Sequence, residues 1–308
     1  HLCRRRRVDL MNMIISAVSQ GLLWSILALG LFVSFRILDL ADMTTEGAFP
    51  LGAAVAVQAI TLGANPYIAI IFAIIAGSSA GLITGFLITK LQIPSLLAGI
   101  LTMTGLYSIN LRVMGRANIS LLGKNTIFTV FENMNLPRHF DTITLGLLVV
   151  VMIIGLYVIF FKTEFGQAVI ATGDNEAMAR SLGISTNTMK IVGLMISNGI
   201  VALAGSIIAQ DNGYADISMG IGTIVIGLAS IIIGEVLFTN VSFKMRLVCL
   251  MLGSVLYRLI MVMVLEAGMN PNDFKLISAV LLTFFLALPK IKETYYMYSL
   301  RKKVKRND

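Results

Sequence analysis

Long apolar runs separated by short polar stretches are the dominant pattern along this chain. Because a helix needs about 20 apolar residues to cross a bilayer, the pattern predicts a set of membrane spans. These lie at 13–35, 47–64, 66–89, 95–114, 143–161, 189–210, 219–238, 246–265 and 273–289. The expected fold is all-α, a polytopic helical membrane protein with about nine transmembrane helices, eight to ten being possible. An odd number places the two termini on opposite sides.

Composition agrees with this class and excludes several others. Apolar residues make up 57% of the chain and charged residues 13%, with a mean hydropathy of +0.87, far from the values of soluble domains. The net charge of +8 does not indicate nucleic-acid binding, because the basic residues lie at the ends of apolar runs. The cysteines, Cys3 and Cys249, and the histidines, His1 and His139, form no disulfide framework or zinc motif.

The distribution of Lys and Arg predicts the orientation in the membrane. If the polar segment 162–190 and the basic tail 291–308 are cytosolic, most basic residues fall on the inner side. The N-terminus then lies outside, although residues 1–10 contain a run of arginines. We interpret 1–10 as a foreign or wrongly assigned leader before a single transmembrane domain, 11–290. The alternative is a cytosolic N-terminus with one span misjudged.

The segment 162–190 is polar although apolar runs flank it on both sides. Asp174 as N-cap and Gly183 as the residue after the C-cap delimit a helix of about two turns. Glu176 and Arg180 have the i,i+4 spacing of an ion pair, while the apolar Met178 and Leu182 share one face. Such a short helix is unstable alone and is expected to dock on a partner. A solvated loop between two spans is the alternative.

Two further stretches mix polar residues and glycine where apolar runs meet. The stretch 36–53, RILDLADMTTEGAFPLGA, suits a discontinuous helix whose backbone lines a cavity, or an ordinary inner loop. The stretch 210–223, QDNGYADISMGIGT, is expected at the outer surface. The candidates for lining a translocation path are Thr45, Glu46, Gly47, Phe49, Gly220, Gly222 and Thr223.

Within the spans, small residues and one charge carry information. Gly77, Gly81 and Gly85 recur at four-residue spacing and predict a helix-packing face, within the subunit or between subunits. Arg258 lies in the middle of an apolar run, where a charge costs at least about 2.5 to 3.5 kcal/mol. It is interpreted either as one half of a structural ion pair, for which Glu235 is a candidate partner, or as a charge lining the path.

Three phrases resemble a known family over nearly the whole chain, from about Met13 to Pro289. LDLADMTTEGAFPLGA, GQAVIATGDNEAMARSLGI and GYADISMGIGTIVIGLASIIIGE are similar to the permeases of bacterial ABC importers for ribose and branched-chain amino acids. The chain is most similar to the subgroup associated with tryptophan or tyrosine uptake. The resemblance implies a type II-like importer permease in the bacterial inner membrane.

The resemblance also implies partners and a role for the polar segment. Residues 166–184 would contain a coupling helix that rests in a groove of the ATPase subunit. The residues expected at this contact are Asp174, Asn175, Glu176, Met178, Ala179, Arg180, Leu182 and Gly183. An extracellular substrate-binding protein and a second copy of the chain are the other expected partners, and 115–141 is long enough to receive the former.

No phosphate-binding G-x-x-x-x-G-K-[ST] motif occurs in the sequence, so ATP and Mg²⁺ are expected on the ATPase chain. Other functional classes remain open. An ion-coupled secondary transporter would use intramembrane carboxylates, for which the candidates are Asp39, Asp42, Glu46 and Glu235. An ABC importer for a sugar or nucleoside is a second alternative. An intramembrane enzyme is disfavoured, because no catalytic motif of the usual kinds is present.

Overall fold

The computed structural model is a helical bundle that describes residues 2–129, 139–238, 241–266, 268, 270 and 273–304. Side chains are described for these residues except 2–10, 289 and 292–304. The side chains of the predicted leader and most of those in the basic tail therefore lie outside the described part. The same holds for 130–138, the centre of the segment expected to receive a binding protein.

Every predicted span coincides with a separate helix, although the helices differ in length. The helices are α1 (Leu2–Phe32), α2 (Thr45–Thr61), α3 (Pro66–Thr89), α4 (Ser95–Met114), α5 (Phe140–Phe160), α6 (Glu164–Asp174), α7 (Glu176–Ser181), α8 (Thr186–Asn212), α9 (Thr223–Leu237), α10 (Phe243–Glu266) and α11 (Phe274–Val304). Among the described residues, six helical segments are long and apolar enough to cross a membrane, namely Met11–Ile37, Pro66–Thr89, Ser95–Met114, Phe140–Phe160, Thr186–Asn212 and Phe243–Glu266. The expected class, a polytopic helical membrane protein, is confirmed.

The shorter helices α2 and α9 begin beside each other within the bundle. The side chain of Glu46, in the first turn of α2, accepts a hydrogen bond from the N–H of Gly222, the N-cap residue of α9, at 3.0 Å. Pro50 lies inside α2 and has no N–H to offer the carbonyl of Glu46. Gly220 packs against that carbonyl and the Pro50 ring, where no side chain would fit.

α1 does not continue into α2. It ends in a π-helical turn, Val33–Ile37, in which the N–H of Leu38 bonds to the carbonyl of Val33 at 3.0 Å. Asp39 then adopts a positive φ of 51°, which turns the chain away from the helix axis. The predicted interruption between the first two apolar runs is therefore a break between two helices.

The core of the bundle lies around α8, which packs on α1, α2 and α3. Gly77, Gly81 and Gly85 all lie on the face of α3 that meets α8. A Cβ atom on Gly81 would collide with the backbone of Leu194, and one on Gly77 with the carbonyl of Asn198. The glycine spacing therefore serves close helix packing within this subunit.

The two ends of the bundle differ in structure. The two-helix end carries α6 and α7 between α5 and α8. At the opposite, β-ribbon end, the strands β1 (Asn118–Ser120) and β2 (Tyr214–Asp216) pair antiparallel, with Ile119 opposite Ala215. This short ribbon is an addition to the all-α expectation and ties the chain after α4 to the chain after α8.

Candidate functional site

The polar segment 162–190 contains two helices, where the sequence analysis expected one. The first, α6, begins at Thr163, whose hydroxyl accepts a hydrogen bond from the N–H of Gly166 at 3.1 Å. Its buried residues, Gly166, Val169 and Thr172, recur every three residues and so give the helix one inward face. Gly173 packs directly against the carbonyl of Ile37 at the end of the π-helical turn. α6 thus fixes the segment to the end of α1.

The second helix, α7, is capped at both ends. Asn175 is its N-cap and accepts a hydrogen bond from the N–H of Met178 at 3.0 Å. The assignment of Asp174 as N-cap was wrong, because α6 extends through Asp174 and leaves Asn175 as the residue between the helices. Gly183 follows the C-cap with a φ of +85°, as expected. Its N–H and that of Ile184 complete a Schellman motif, each at 3.1 Å from its carbonyl.

Glu176 connects α7 to the start of α8. Its carboxylate pairs with Arg180 at 2.8 Å, as the spacing predicted, and with Lys190 at 2.7 Å. The hydroxyl of Thr186 donates to the same carboxylate at 3.3 Å. The hydrogen bond from Lys190 is the main cause that lowers the pKa of Glu176 below its usual value. Lys190 was not expected here, since sequence spacing shows contacts within one helix and not between two.

The outer surface of α7 and its C-cap exposes two large apolar side chains beside the charged Arg180. Met178 and Leu182 are 61% and 69% exposed, whereas Ala179 is buried against the bundle. Beside this surface lies a cavity of about 480 Å³, which is lined by Thr89, Gln92, Glu176, Arg180, Asn187 and Lys190 among others. The two-helix end therefore presents exposed methionine and leucine next to a polar recess.

The break between α1 and α2 is held by a buried chain of hydrogen bonds. Asp42 is 1% exposed and accepts bonds from the N–H of Thr44 at 3.0 Å and from Asn198 Nδ2 at 2.7 Å. The hydroxyl of Thr44 meets that of Thr84 at 2.6 Å, and Thr84 bonds to Thr102 at 2.9 Å. The break is thereby tied to α3, α4 and α8. Sequence analysis considered Asp42 but gave no signal for Asn198, Thr84 or Thr102.

The stretches 36–53 and 210–223 meet at a second cavity, of about 420 Å³. One wall of the cavity is formed by backbone and apolar side chains and includes Gly47, Pro50, Met103, Ile217 and Ile221. Its polar lining comprises Glu46, Thr104, Tyr107 and Asn110. We call this the Glu46 cavity. Its size lies within the range of small-molecule sites, about 300 to 1,000 Å³.

The candidate path residues divide into two groups. Glu46 and Gly47 line the Glu46 cavity, and Gly222 lies at its edge through its bond to Glu46. By contrast, four candidates are buried in the subunit interior, namely Thr45, Phe49, Gly220 and Thr223. Phe49 stacks on Trp24 with ring centroids 5.6 Å apart, which accounts for its burial. The stretch 210–223 forms part of the β-ribbon end, where Gly220 and Thr223 are buried and Ser218 and Ile221 are exposed. Its position at the outer surface stays a prediction.

Arg258 lies against aromatic rings. Its guanidinium is 4.6 Å from the centroid of the Trp24 ring and 5.9 Å from that of Phe274. Within the described part of the chain, its Nε has no hydrogen-bond partner. Glu235, the candidate partner, instead pairs with Arg36, whose Nε lies 2.9 Å from the carboxylate. The face of an aromatic ring attracts a cation and so stabilises the Arg258 guanidinium here. The sequence shows Arg258 as an isolated charge but does not show that an aromatic ring is its partner.

Within the described residues, no group of His, Cys, Asp and Glu side chains is arranged to hold a metal ion.

Comparison with known proteins gives one matching family model. It is described as the permease component of branched-chain amino acid transport systems and matches residues 13–286. A tyrosine transport system permease of Clostridioides difficile is 42% identical over 277 residues, covering 90% of this chain and 91% of that protein. An uncharacterized protein of Rickettsia prowazekii is 36% identical over 286 residues, covering 92% and 99%.

More distant similarities exist. The autoinducer 2 import system permease LsrC of Yersinia enterocolitica is 29% identical over 180 residues, which is 58% of this chain and 48% of that protein. Among solved structures, PsaBC of Streptococcus pneumoniae, in complex with Fab, covers 90% of both chains at 18% identity with a TM-score of 0.48.

Proposed function

Because this chain belongs to the permease family of branched-chain amino acid transport systems, we propose that it forms the path by which an ATP-driven importer takes up an amino acid. As a member of this family it is a permease component of an ABC-type transporter, a multi-pass protein of the bacterial inner membrane, and not an enzyme. The proposal concerns the substrate, the partners and the residues that serve them.

An aromatic amino acid is the proposed substrate, and one observation carries this step. The tyrosine transport permease matches nine-tenths of this chain at 42% identity, whereas the match to LsrC covers 58% of the chain at 29%. Uptake of a sugar or nucleoside is the competing possibility. A longer and closer match supports tyrosine or a similar amino acid.

The proposed contact with the ATPase is α7 together with its flanking turns. Three features support it: the helix is capped at both ends, Met178 and Leu182 are exposed, and Glu176 links the helix to α8 through Lys190. Exposed apolar side chains at the centre of a contact, surrounded by charged residues, suit a protein interface. We propose that ATP and Mg²⁺ bind to that partner, and that an extracellular binding protein delivers the solute at the β-ribbon end.

The test is uptake in liposomes that contain this chain with its cognate ATPase and binding protein. Labelled L-tyrosine should accumulate in the liposomes only when ATP is present on the side of the membrane where the ATPase lies. Ribose and leucine serve as competitor solutes, and an ATPase variant that binds but does not hydrolyse ATP serves as the control. Accumulation driven by a proton or sodium gradient without ATP would contradict an ATP-driven importer, and competition by ribose alone would contradict the amino-acid assignment.

The permease is further expected to act as a homodimer. Each chain carries a single α6–α7 segment, and an importer with two ATPase subunits needs two such contacts. Native mass spectrometry of the purified assembly, after removal of the detergent, should give the mass of a complex with two permease chains and two ATPase chains. A stable complex with one copy of each that transports at the full rate would refute the homodimer, and a second, different permease chain in the complex would show a heterodimer.

A further inference from the structure

The Glu46 cavity contains hydrogen-bond acceptors that the fold itself does not use fully. Glu46 accepts the N–H of Gly222 through Oε1, at 3.0 Å, which leaves the second carboxylate oxygen for another donor. A carboxylate at the beginning of α9 is also favoured by the helix dipole. The bond to Gly222 holds the carboxylate in a fixed position beside the cavity.

Asn110 provides a second acceptor. It is 1% exposed, lines the cavity, and donates from Nδ2 to the carbonyl of Gly47 at 3.3 Å. Its Oδ1 is buried and has no hydrogen-bond partner in the described part of the chain. A buried polar atom without a partner is energetically costly. Because Asn110 lines the cavity, this unpaired oxygen belongs to a residue beside space that a ligand can fill.

The rest of the lining is suited to an apolar or aromatic group. Tyr107 is 57% exposed and presents its ring, while Met103, Ile217 and Ile221 supply aliphatic surface. The polar corner and the apolar wall therefore lie side by side in one cavity of about 420 Å³.

We propose that the Glu46 cavity binds a primary ammonium group between the Glu46 carboxylate and Asn110 Oδ1, with the apolar part of the same molecule against Tyr107. The identification of that molecule as an amino acid or related amine rests on the proposed function. An ammonium group donates three hydrogen bonds and accepts none, which matches a carboxylate oxygen and an amide oxygen. An anion would meet two acceptors and no cationic side chain of the lining.

Lys275 is the basic residue whose charge reaches Glu46, and it does not line the cavity. It is exposed at the start of α11. Its charge partly offsets that of Glu46 and leaves the hydrogen-bond acceptors unchanged.

The experiment measures binding of three probes to the permease–ATPase complex in nanodiscs, without the binding protein. The probes are L-tyrosine, tyramine, which keeps the amine, and 3-(4-hydroxyphenyl)propionate, which lacks it. In the wild type, tyramine and L-tyrosine should compete for one site, and the propionate should bind at least about tenfold more weakly, as the loss of a charge-assisted hydrogen bond requires. Equal binding of all three probes would overturn the proposal without any variant being needed.

Two variants assign the effect to the cavity. Glu46→Gln should weaken tyramine binding about tenfold, while its amide oxygen can still accept the N–H of Gly222. Asn110→Leu should weaken it in the same direction. Glu266→Gln, which removes an exposed carboxylate at the end of α10 outside the cavity lining, is the matched control and should bind as the wild type does. Wild-type affinity of Glu46→Gln for tyramine would overturn the assignment.

Failure of this inference and failure of the proposed function give different results. If liposomes take up L-tyrosine with ATP but amine binding is insensitive to Glu46→Gln, the importer stands and the ammonium site falls. If tyramine binding depends on Glu46 while no L-tyrosine is taken up, the site stands and the substrate assignment falls.

Discussion

Replacing Glu176 with lysine is expected to reduce ATP-driven uptake at least about tenfold while the protein remains folded in the membrane. The carboxylate pairs with both Arg180 and Lys190, so the substitution removes two ion pairs and brings three cationic side chains together. Both pairs lie at the end of the bundle, outside its apolar core, and such pairs at partly exposed sites contribute little to overall stability, so the bundle should persist. The position of α7 relative to α8 should change, because the ion pair between Glu176 and Lys190 is lost. Uptake into liposomes and the ATPase rate of the same complex are the measurements.

A matched control is available on the neighbouring helix. Glu164→Lys makes the same charge change in the first turn of α6, where the side chain has no ion pair among the described residues. Its uptake should stay within about twofold of wild type, since surface substitutions away from specific contacts have small effects. Glu176→Lys should lose at least about tenfold, equivalent to roughly 1.4 kcal/mol of coupling. Equal uptake by both variants would show that α7 is only a connecting loop.

Replacing Gly81 with leucine is expected to prevent accumulation of folded protein. A Cβ atom at Gly81 would overlap the backbone of Leu194 in α8, and backbone cannot rotate aside as a side chain can. Forcing additional atoms into a packed core commonly costs about 1 to 3 kcal/mol, and here α3 and α8 would have to separate. The yield of monodisperse protein in detergent and its melting temperature measure the effect.

Gly155→Leu is the control for this prediction. Gly155 lies within α5, and a Cβ atom there has no heavy atom within 4 Å. Both variants add the same side chain to an apolar helix, so the difference between them isolates the contact with α8. A Gly81→Leu protein that folds as well as Gly155→Leu would contradict the close packing of α3 on α8.

The spans could be predicted because a helix in lipid must satisfy its own backbone and expose apolar side chains. These requirements leave long apolar runs in the sequence, and each predicted run is a helix in the structure. The glycine spacing in α3 was equally informative, since only a missing side chain permits such an approach. Short helices are harder to predict, and α6 was missed although its inward residues have helical spacing. The error at Asp174 followed from that omission.

The contacts of the candidate site depend on tertiary structure that local sequence does not encode. Asp42 meets Asn198, which lies far away in the chain, and Lys190 reaches Glu176 across a turn. Arg258 was examined for an acidic partner, whereas the structure places it against the Trp24 ring. Each pairing becomes visible only when α8 or α10 is placed beside its neighbours. Sequence analysis therefore identified several of the participants and few of their partners.

α8 contacts the two-helix end, the break between α1 and α2, and the β-ribbon end, and this has a mechanical consequence. It is 27 residues long, so it extends about 40 Å at about 1.5 Å per residue. Near its start Lys190 holds α7, in its middle Asn198 holds Asp42, and near its end Asp211 accepts bonds from Gln20 and Thr142. Because a helix is stiff along its axis, α8 cannot move at one of these three contacts and remain in place at the other two. A force transmitted from α7 along α8 would therefore act on the buried Asp42–Asn198 bond and on the β-ribbon end together.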